Sequence, residues 1–279
     1  MPVVNGNDHA GDSGLLNDPS ARALVAGDLE AVFLPSHGML GISFRHRGAE
    51  LLRRVRDLEA AAARGSTAGI PLLHPWANRL AGPRYRGAGR EVGLDPSSPL
   101  LHLDEHGLPM HGVPWSLLTW ELTEERHDRL TARLDWTRSD LLAVFPFRHR
   151  LELAARLRPD GLTLETTLIA SPDGPVLVSF GFHPYVGLPE LPCAEWGVEL
   201  PAMRRLGLDR RGLPTGAEEP FAGLEGRLGE LDLDEGFAVL EERPSFAVAG
   251  AGSPWTSSWG TATPRCLRRR TRITWRLSR

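Results

Sequence analysis

The chain has 279 residues, of which 41% are hydrophobic, and a formal net charge of −3; this size suits one large all-β or α/β domain or two small ones. The small net charge excludes a field that favours nucleic acid or a membrane surface, and the apolar runs are too short to span a bilayer. Two cysteines, Cys193 and Cys266, are too few for a disulfide framework, and no Cys/His cluster indicates zinc or another metal.

Residues 1–20 read as a flexible polar lead-in to the domain. They contain no basic region followed by an apolar core, so we expect no signal peptide and, by default, a cytoplasmic protein. The sequence contains no lysine, and all 32 basic residues are arginine. This bias is typical of a gene with GC-rich codons and carries no functional information of its own.

Helical periodicity is scarce along the chain. The best candidate is residues 49–64, which fit a strand followed by a charged loop equally well. The runs DLEAVFLP, MLGISFRH, SLLTWELTEE and RLTARLDWT predict strands, and the alternating runs on either side of Pro159-Asp160-Gly161 predict a hairpin. The segments PVLVSFGFHPYVGLP and CAEWGVELPA continue this pattern. Together with 23 prolines and 30 glycines, it predicts an all-β sandwich in one domain over residues 21–252.

Reactive side chains occur beside turns or strand ends at four places. They are Asn78-Arg79 after GIPLLHPW, His111 in MHG, His183 in GFHPY and Asp234 in LDEGF. Each also has an ordinary structural interpretation, because a lone histidine is often a core residue and Asp before Gly is often a turn former. Other histidines are predicted to be structural or solvent-exposed: His74, His102, His106, His127 and His149.

In this order and at wide spacing, GIPLLHPWANRLAG, MHG, GFHPY and LDEGF resemble the aldose 1-epimerase (galactose mutarotase) family over about residues 29–248. The resemblance implies a large antiparallel β-sandwich, the galactose mutarotase-like supersandwich, with the sugar site on a concave sheet face. It also implies an isomerase that needs no cofactor. Such an enzyme interconverts the α- and β-anomers of a hexose by opening and closing the ring with a general acid and a general base.

The resemblance also implies roles for individual residues. His183 would be the acid at the ring oxygen, with His111 as a second imidazole beside it. Arg79 and Asn78 would orient sugar hydroxyls, and Asp234 would accept hydrogen bonds from them. Some aromatic residues would either form an apolar wall for the sugar or belong to the core: Trp76, Trp115, Tyr185 and Trp196. The implied partner is a small sugar, without nucleic acid or membrane, and the protein is expected to be a monomer or homodimer.

The C-terminal segment departs from the family pattern. The resemblance implies a catalytic glutamate near the C-terminus, but the last acidic residue of this sequence is Glu242. The first 252 residues carry 25 arginines and 35 acidic residues, whereas residues 253–279 carry seven arginines, three tryptophans and no acidic residue. We hypothesise a frameshift that lost or altered the closing strands. The alternative is a diverged tail in which RITWRL forms a closing strand.

Three functions follow from these observations. The first is a sugar mutarotase, impaired by the missing glutamate. The second is a non-catalytic carbohydrate-binding protein on the same fold. The third is a relative acting on a hexose phosphate, in which Arg84 and Arg86 would hold the phosphate.

Overall fold

The fold is given by a computed structural model, which describes residues 18–53, 57–188, 191–231, 234–240, 245–250, 253–261 and 268–277. These ranges contain twenty strands and two short α-helices. The strands of the first half are β1 (Arg22–Ala26), β2 (Leu29–Leu34), β3 (Leu40–His46), β4 (Ala49–Glu50), β5 (Leu72–Leu73), β6 (Arg84–Gly87), β7 (Arg90–Gly93), β8 (Glu121–Arg126), β9 (Arg129–Trp136) and β10 (His149–Arg158). Those of the second half are β11 (Gly161–Ala170), β12 (Gly181–Phe182), β13 (Gly197–Leu200), β14 (Met203–Leu208), β15 (Pro214–Phe221), β16 (Leu224–Arg227), β17 (Gly236–Val239), β18 (Ser245–Gly250), β19 (Ser253–Thr261) and β20 (Arg268–Leu277). The helices are α1 (Leu58–Ala63) and α2 (Ser139–Val144).

A nine-stranded sheet forms the centre of the molecule, in the order β16-β13-β18-β19-β20-β11-β10-β9-β8. Its neighbouring strands are antiparallel. A second sheet, β1-β2-β3-β4, contacts β10 through β1 and β2. Three smaller sheets complete the described part: β12-β5, β15-β14-β17 and β6-β7. The fold is therefore the antiparallel, almost entirely β structure that the sequence predicts.

The alternation of the central strands shows why they form a half-buried sheet. In β9, every second residue from Leu130 to Trp136 is buried, and β10 continues this from His149 to Leu157. Successive side chains of a strand point to opposite faces, so this period of two places one apolar row against the N-terminal sheet. Burial of one leucine such as Leu151 stabilises the fold by about 1.5–3 kcal/mol.

The core also contains a pair of histidines. His74 and His149 are both buried, and their Nε2 atoms are 2.9 Å apart. The Nδ1 atom of His149 lies 2.6 Å from the Phe147 carbonyl oxygen. Because a carbonyl only accepts, His149 donates through Nδ1, and its Nε2 lone pair accepts from the Nε2–H of His74. Both rings pack against Trp136, so their place is structural, as the sequence predicts.

The predicted hairpin at Pro159-Asp160-Gly161 is confirmed, since β10 and β11 pair from His149 with Ala170 to Arg158 with Gly161. The helix candidate over residues 49–64 is only partly right. Residues 49–50 form β4, and the helix is limited to α1, where the side chain of the N-cap Asp57 accepts from the Ala60 amide. None of the helices in the described ranges is long and apolar enough to cross a membrane.

Residues 253–261 and 268–277 form two strands of the central sheet. The strand β20 lies between β19 and β11, and it pairs with β11 from Gly161 opposite Arg276 to Ile169 opposite Arg268. The closing strands are therefore present, as the diverged-tail alternative expects. A changed reading frame is a separate hypothesis that this pairing does not test.

Candidate functional site

Three of the four sequence motifs lie side by side because one segment, residues 69–80, pairs with two others. On one side, β5 pairs with β12, and Tyr185 donates its backbone N–H to the Gly69 carbonyl at 2.8 Å. On the other side, isolated bridges join His74 to Gly112 and Arg79 to Met110. This irregular three-segment ladder brings the GFHPY and MHG motifs to the two edges of the opening motif.

His111 and Asn78 hold each other in an unusual backbone conformation. Both have φ of +64°, a region that few residues other than glycine adopt. The His111 N–H donates to the Asn78 carbonyl at 3.0 Å, and the Asn78 N–H donates to His111 Nδ1 at 3.2 Å. Residues held in such sparsely populated conformations cluster at functional sites.

The next residue, Gly112, allows this close approach. It has φ of +71°, and a Cβ built on it would lie 2.2 Å from the His74 carbonyl oxygen. Only glycine fits at this position, because backbone atoms cannot move aside as a flexible side chain would. The glycine therefore fixes how closely His111 lies to the central segment.

The two motif histidines are neighbours. The ring centroids of His111 and His183 are 5.3 Å apart with an interplanar angle of 69°, and Tyr185 lies 4.9 Å from His183 on the ring centroids. The Tyr185 hydroxyl is hydrogen-bonded to the Thr67 hydroxyl. The His183 Nδ1 atom is buried and has no hydrogen-bond partner among the described residues. Proton exchange with a ligand would therefore use its Nε2 atom.

The protonation of His111 follows from its surroundings. Burial lowers its pKa to about 4, assisted by the positive charges that His183, His102 and Arg79 can carry. The ring is therefore neutral at pH 7. Because its Nδ1 atom accepts from Asn78, the single ring proton lies on Nε2, and His111 is a hydrogen-bond donor toward any ligand.

Arg79 is anchored by Asp104, a residue outside the four sequence motifs. Its Nε donates to Asp104 Oδ2 at 2.7 Å, and the side chain of Asp104 is 0% exposed. Burial acts to raise the pKa of this carboxyl, but hydrogen bonds from Leu108, Arg79 and His106 hold it below the ordinary value. The Arg79 Nη1 lies 3.4 Å from Asn78 Oδ1. The only signal in the sequence was an acidic residue in a charged loop, 25 positions downstream.

The fourth motif residue, Asp234, is exposed and lies two residues before β17. Continuing the β14–β17 register places it level with Leu208, next to the turn of residues 209–213. In that turn, a Cβ built on Gly212 would lie 3.0 Å from Arg79 Nη1. Asp234 therefore belongs to the loop end nearest Arg79, but within the described ranges no hydrogen bond or ion pair joins it to Arg79 or the two histidines.

Other candidates have different places in the structure. Trp76 and Trp115 are buried core residues, so they provide no exposed wall for a ligand. Arg84 and Arg86 are exposed and both pair with Glu91 across the β6–β7 hairpin. Since the intervening Tyr85 is the residue of β6 that packs on the core, the two arginines point to the opposite face of that strand.

The site thus combines the neutral imidazole of His111, the second imidazole of His183, the anchored guanidinium of Arg79 and the phenol ring of Tyr185. These groups suit a ligand with several hydroxyls and one atom to be protonated, because arginine and imidazole donate to oxygen and an aromatic face packs on C–H groups. Imidazole is also the side chain best suited to acid–base work near neutral pH.

The comparisons with known proteins agree with this architecture. The family model of aldose 1-epimerase matches residues 28–228. A crystal structure of a GalM/aldose epimerase homologue from C. elegans superposes with a TM-score of 0.75 at 15% identity, covering 92% of this chain and 98% of that one. A galactose 1-epimerase from Lactobacillus acidophilus NCFM gives a TM-score of 0.70 at 12% identity, covering 90% and 92%.

A curated relative is the uncharacterized protein YphB of Escherichia coli K12, which is 30% identical over 166 residues. The match covers 56% of this chain, and the chain spans about half, 52%, of that relative. The structural neighbours share the fold at low identity, whereas the family model covers most of the sequence. The chain therefore belongs to the aldose 1-epimerase family.

Proposed function

We propose that this protein is a cofactor-independent mutarotase that interconverts the anomers of a free hexose. The observation that carries the proposal is the His111–His183 pair, 5.3 Å apart on the ring centroids, beside the anchored guanidinium of Arg79. A general acid at the ring oxygen and donors to the hydroxyls are the groups that ring opening requires. Family membership supports the same reaction class.

In the proposed reaction, His183 exchanges the proton of the ring oxygen through Nε2, because its Nδ1 atom is buried. His111 donates a hydrogen bond from Nε2–H and does not change its charge, since its pKa is about 4. Arg79 and Asn78 orient hydroxyls, and Tyr185 packs beside the sugar. Asp234 accepts hydrogen bonds from hydroxyls at the far end of the sugar.

No residue of this sequence is assigned as the general base. Residues 243–279 contain no acidic residue, so this segment supplies no side-chain carboxylate to take the proton of the anomeric hydroxyl. A general base contributes about 10²- to 10⁴-fold to such a reaction. We therefore expect a measurable but slow enzyme, in which water takes the place of the carboxylate.

Polarimetry tests the proposal. Fresh α-D-glucose and α-D-galactose are followed with wild-type protein, with His183→Ala and with the control His127→Ala, a histidine whose side chain is 84% exposed. We expect the wild type and the control to accelerate mutarotation and His183→Ala to lose the acceleration. If wild-type protein gives the same rate as buffer, the catalytic proposal is wrong.

The lack of acidic residues in the segment 243–279 favours a second candidate, a carbohydrate-binding protein without catalysis. It predicts saturable binding of the same sugars in calorimetry, weakened by Arg79→Ala, with no change in the rate of mutarotation. Measurable rate acceleration by the wild type would exclude it.

A further inference from the structure

One five-residue turn occurs twice in the structure, with the sequence pattern Asp-x-x-Gly-Leu. The first copy is residues 104–108 and the second is residues 209–213. In each, one oxygen of the aspartate accepts two backbone N–H groups, at 2.9 and 2.9 Å in the first copy and at 2.8 and 3.0 Å in the second. The glycines have φ of +72° and +71°, and each donates to the aspartate carbonyl at 2.9 Å.

Both turns lie against Arg79, but through different atoms. In the first turn, the second carboxylate oxygen of Asp104 accepts from Arg79 Nε at 2.7 Å. In the second turn, the corresponding oxygen of Asp209 binds Arg211 at 3.1–3.2 Å instead. The second turn contacts Arg79 through its glycine, since a Cβ built on Gly212 would lie 3.0 Å from Nη1.

We infer that the two turns act as a clamp on Arg79 and that Asp104 and Gly212 are positioning residues for its guanidinium. Fixing Nε sets the plane of the group, because the guanidinium is rigid and its five N–H donors have fixed directions. Gly212 then limits how far Nη1 can move. The effect of the clamp on sugar binding rests on the proposed function, whereas the clamp itself rests on the contacts alone.

The burial of Asp104 explains why the clamp is rigid. The carboxylate is 0% exposed, while the Arg79 side chain is 24% exposed. A buried carboxylate needs its partners, so the ion pair is not exchanged for water as a surface pair would be. The exposed surface of the pair therefore belongs to Arg79 and not to Asp104.

The first experiment compares the same substitution in the two turns. Asp104→Asn keeps an oxygen for the two backbone N–H groups but offers an amide where Arg79 Nε needs an acceptor. Asp209→Asn makes the identical change where the carboxylate faces Arg211. We expect Asp104→Asn to raise the KM for sugar about tenfold and to change kcat less than about threefold. This is the result expected when a variant loses an interaction that binds the ground state and the transition state equally. Asp209→Asn should leave both constants unchanged.

The second experiment compares the two glycines. Gly107→Ala and Gly212→Ala carry the same backbone strain, because both positions have positive φ, but a Cβ at Gly107 meets no atom within 4 Å. We expect only Gly212→Ala to raise KM, by about threefold to tenfold. Neither Asp104→Asn nor Gly212→Ala should raise KM further in an Arg79→Ala background.

A sugar-independent measurement separates the clamp from the proposed function. The NMR signal of the Arg79 Nε–H, assigned by its loss in Arg79→Lys, should exchange slowly with water in wild type and Asp209→Asn, and rapidly in Asp104→Asn. Rapid exchange in the wild type, or equal KM values for Asp104→Asn and Asp209→Asn, would overturn the clamp. If the wild type neither binds nor isomerises sugar while the signal behaves as expected, the proposed function fails and the clamp stands.

Discussion

The buried histidine pair makes the fold sensitive to acid. His149 donates through Nδ1 to Phe147 and accepts through Nε2 from His74, so an added proton would set two N–H groups against each other at 2.9 Å. Burial, partly offset by the Phe147 hydrogen bond, lowers the pKa of His149 to about 4. Burial, with the charge His149 can carry, also lowers that of His74.

The pH dependence of stability follows from the difference between the pKa of a histidine in the folded and in the unfolded chain. A histidine with a depressed native pKa stays neutral in the fold, while the unfolded chain binds a proton below about pH 6.5. The contribution of the neutral pair to the free energy of unfolding is therefore fully present above about pH 6.5 and is lost as the pH falls toward 4. At pH 5 the unfolded His149 is about thirtyfold more protonated than neutral, which lowers the free energy of unfolding by about 2 kcal/mol.

The test is urea denaturation at pH 7.5 and pH 5.0 of wild type, His149→Gln and the control His127→Gln. The glutamine oxygen can still accept from His74, and His127 is 84% exposed. We expect the loss of stability between the two pH values to be smaller in His149→Gln by about 2 kcal/mol, whatever its stability at pH 7.5. A pH dependence equal to that of wild type would refute the neutral buried pair.

Three other predictions follow from the site and the central sheet. In urea denaturation, Gly112→Ala should lower the free energy of unfolding by more than about 3 kcal/mol or prevent folding, because its Cβ would lie 2.2 Å from a backbone oxygen. The control is Gly48→Ala, where φ is +80° and a Cβ meets no atom within 4 Å. It should lower the free energy of unfolding by about 1–2 kcal/mol. His111→Gln should lower the mutarotation rate by the same factor at pH 5.5 and pH 8, because the His111 pKa is about 4; a factor that changes with pH contradicts a neutral donor. Deleting residues 268–279 should give aggregated protein in sedimentation, since β11 and β19 lose the strand between them and present unpaired edges to other chains. Deleting only residues 278–279 should not.

The parts of the fold that depend on local pattern were predictable. The alternating runs that form β10 and β11 and the turn at Pro159-Asp160-Gly161 predicted the hairpin, because a period of two and a turn residue are local properties. The helix was predicted less well, since the alanine-rich run of residues 49–64 does not show where pairing with β3 ends and α1 begins.

The residues of the site were predictable only where they belong to a sequence motif. His111, His183, Tyr185, Asn78 and Arg79 are brought together by the ladder around residues 69–80, but their assigned roles remain predictions. Asp104 could not be found, because its contact with Arg79 depends on two loops meeting in space and not on a pattern in either loop. The same holds for the His74–His149 bond, which joins residues 75 positions apart.

The position of β20 has a consequence for synthesis. Its partner β11 ends at Ala170, and β20 begins at Arg268, so the ribosome adds nearly a hundred residues before the central sheet can close. At about 5–20 residues per second this takes roughly 5–20 s. During that interval the edge of β11 has no partner and is open to other nascent chains or chaperones. The residues of β20 therefore complete the middle of the sheet, and the domain cannot finish folding before β20 has been synthesised.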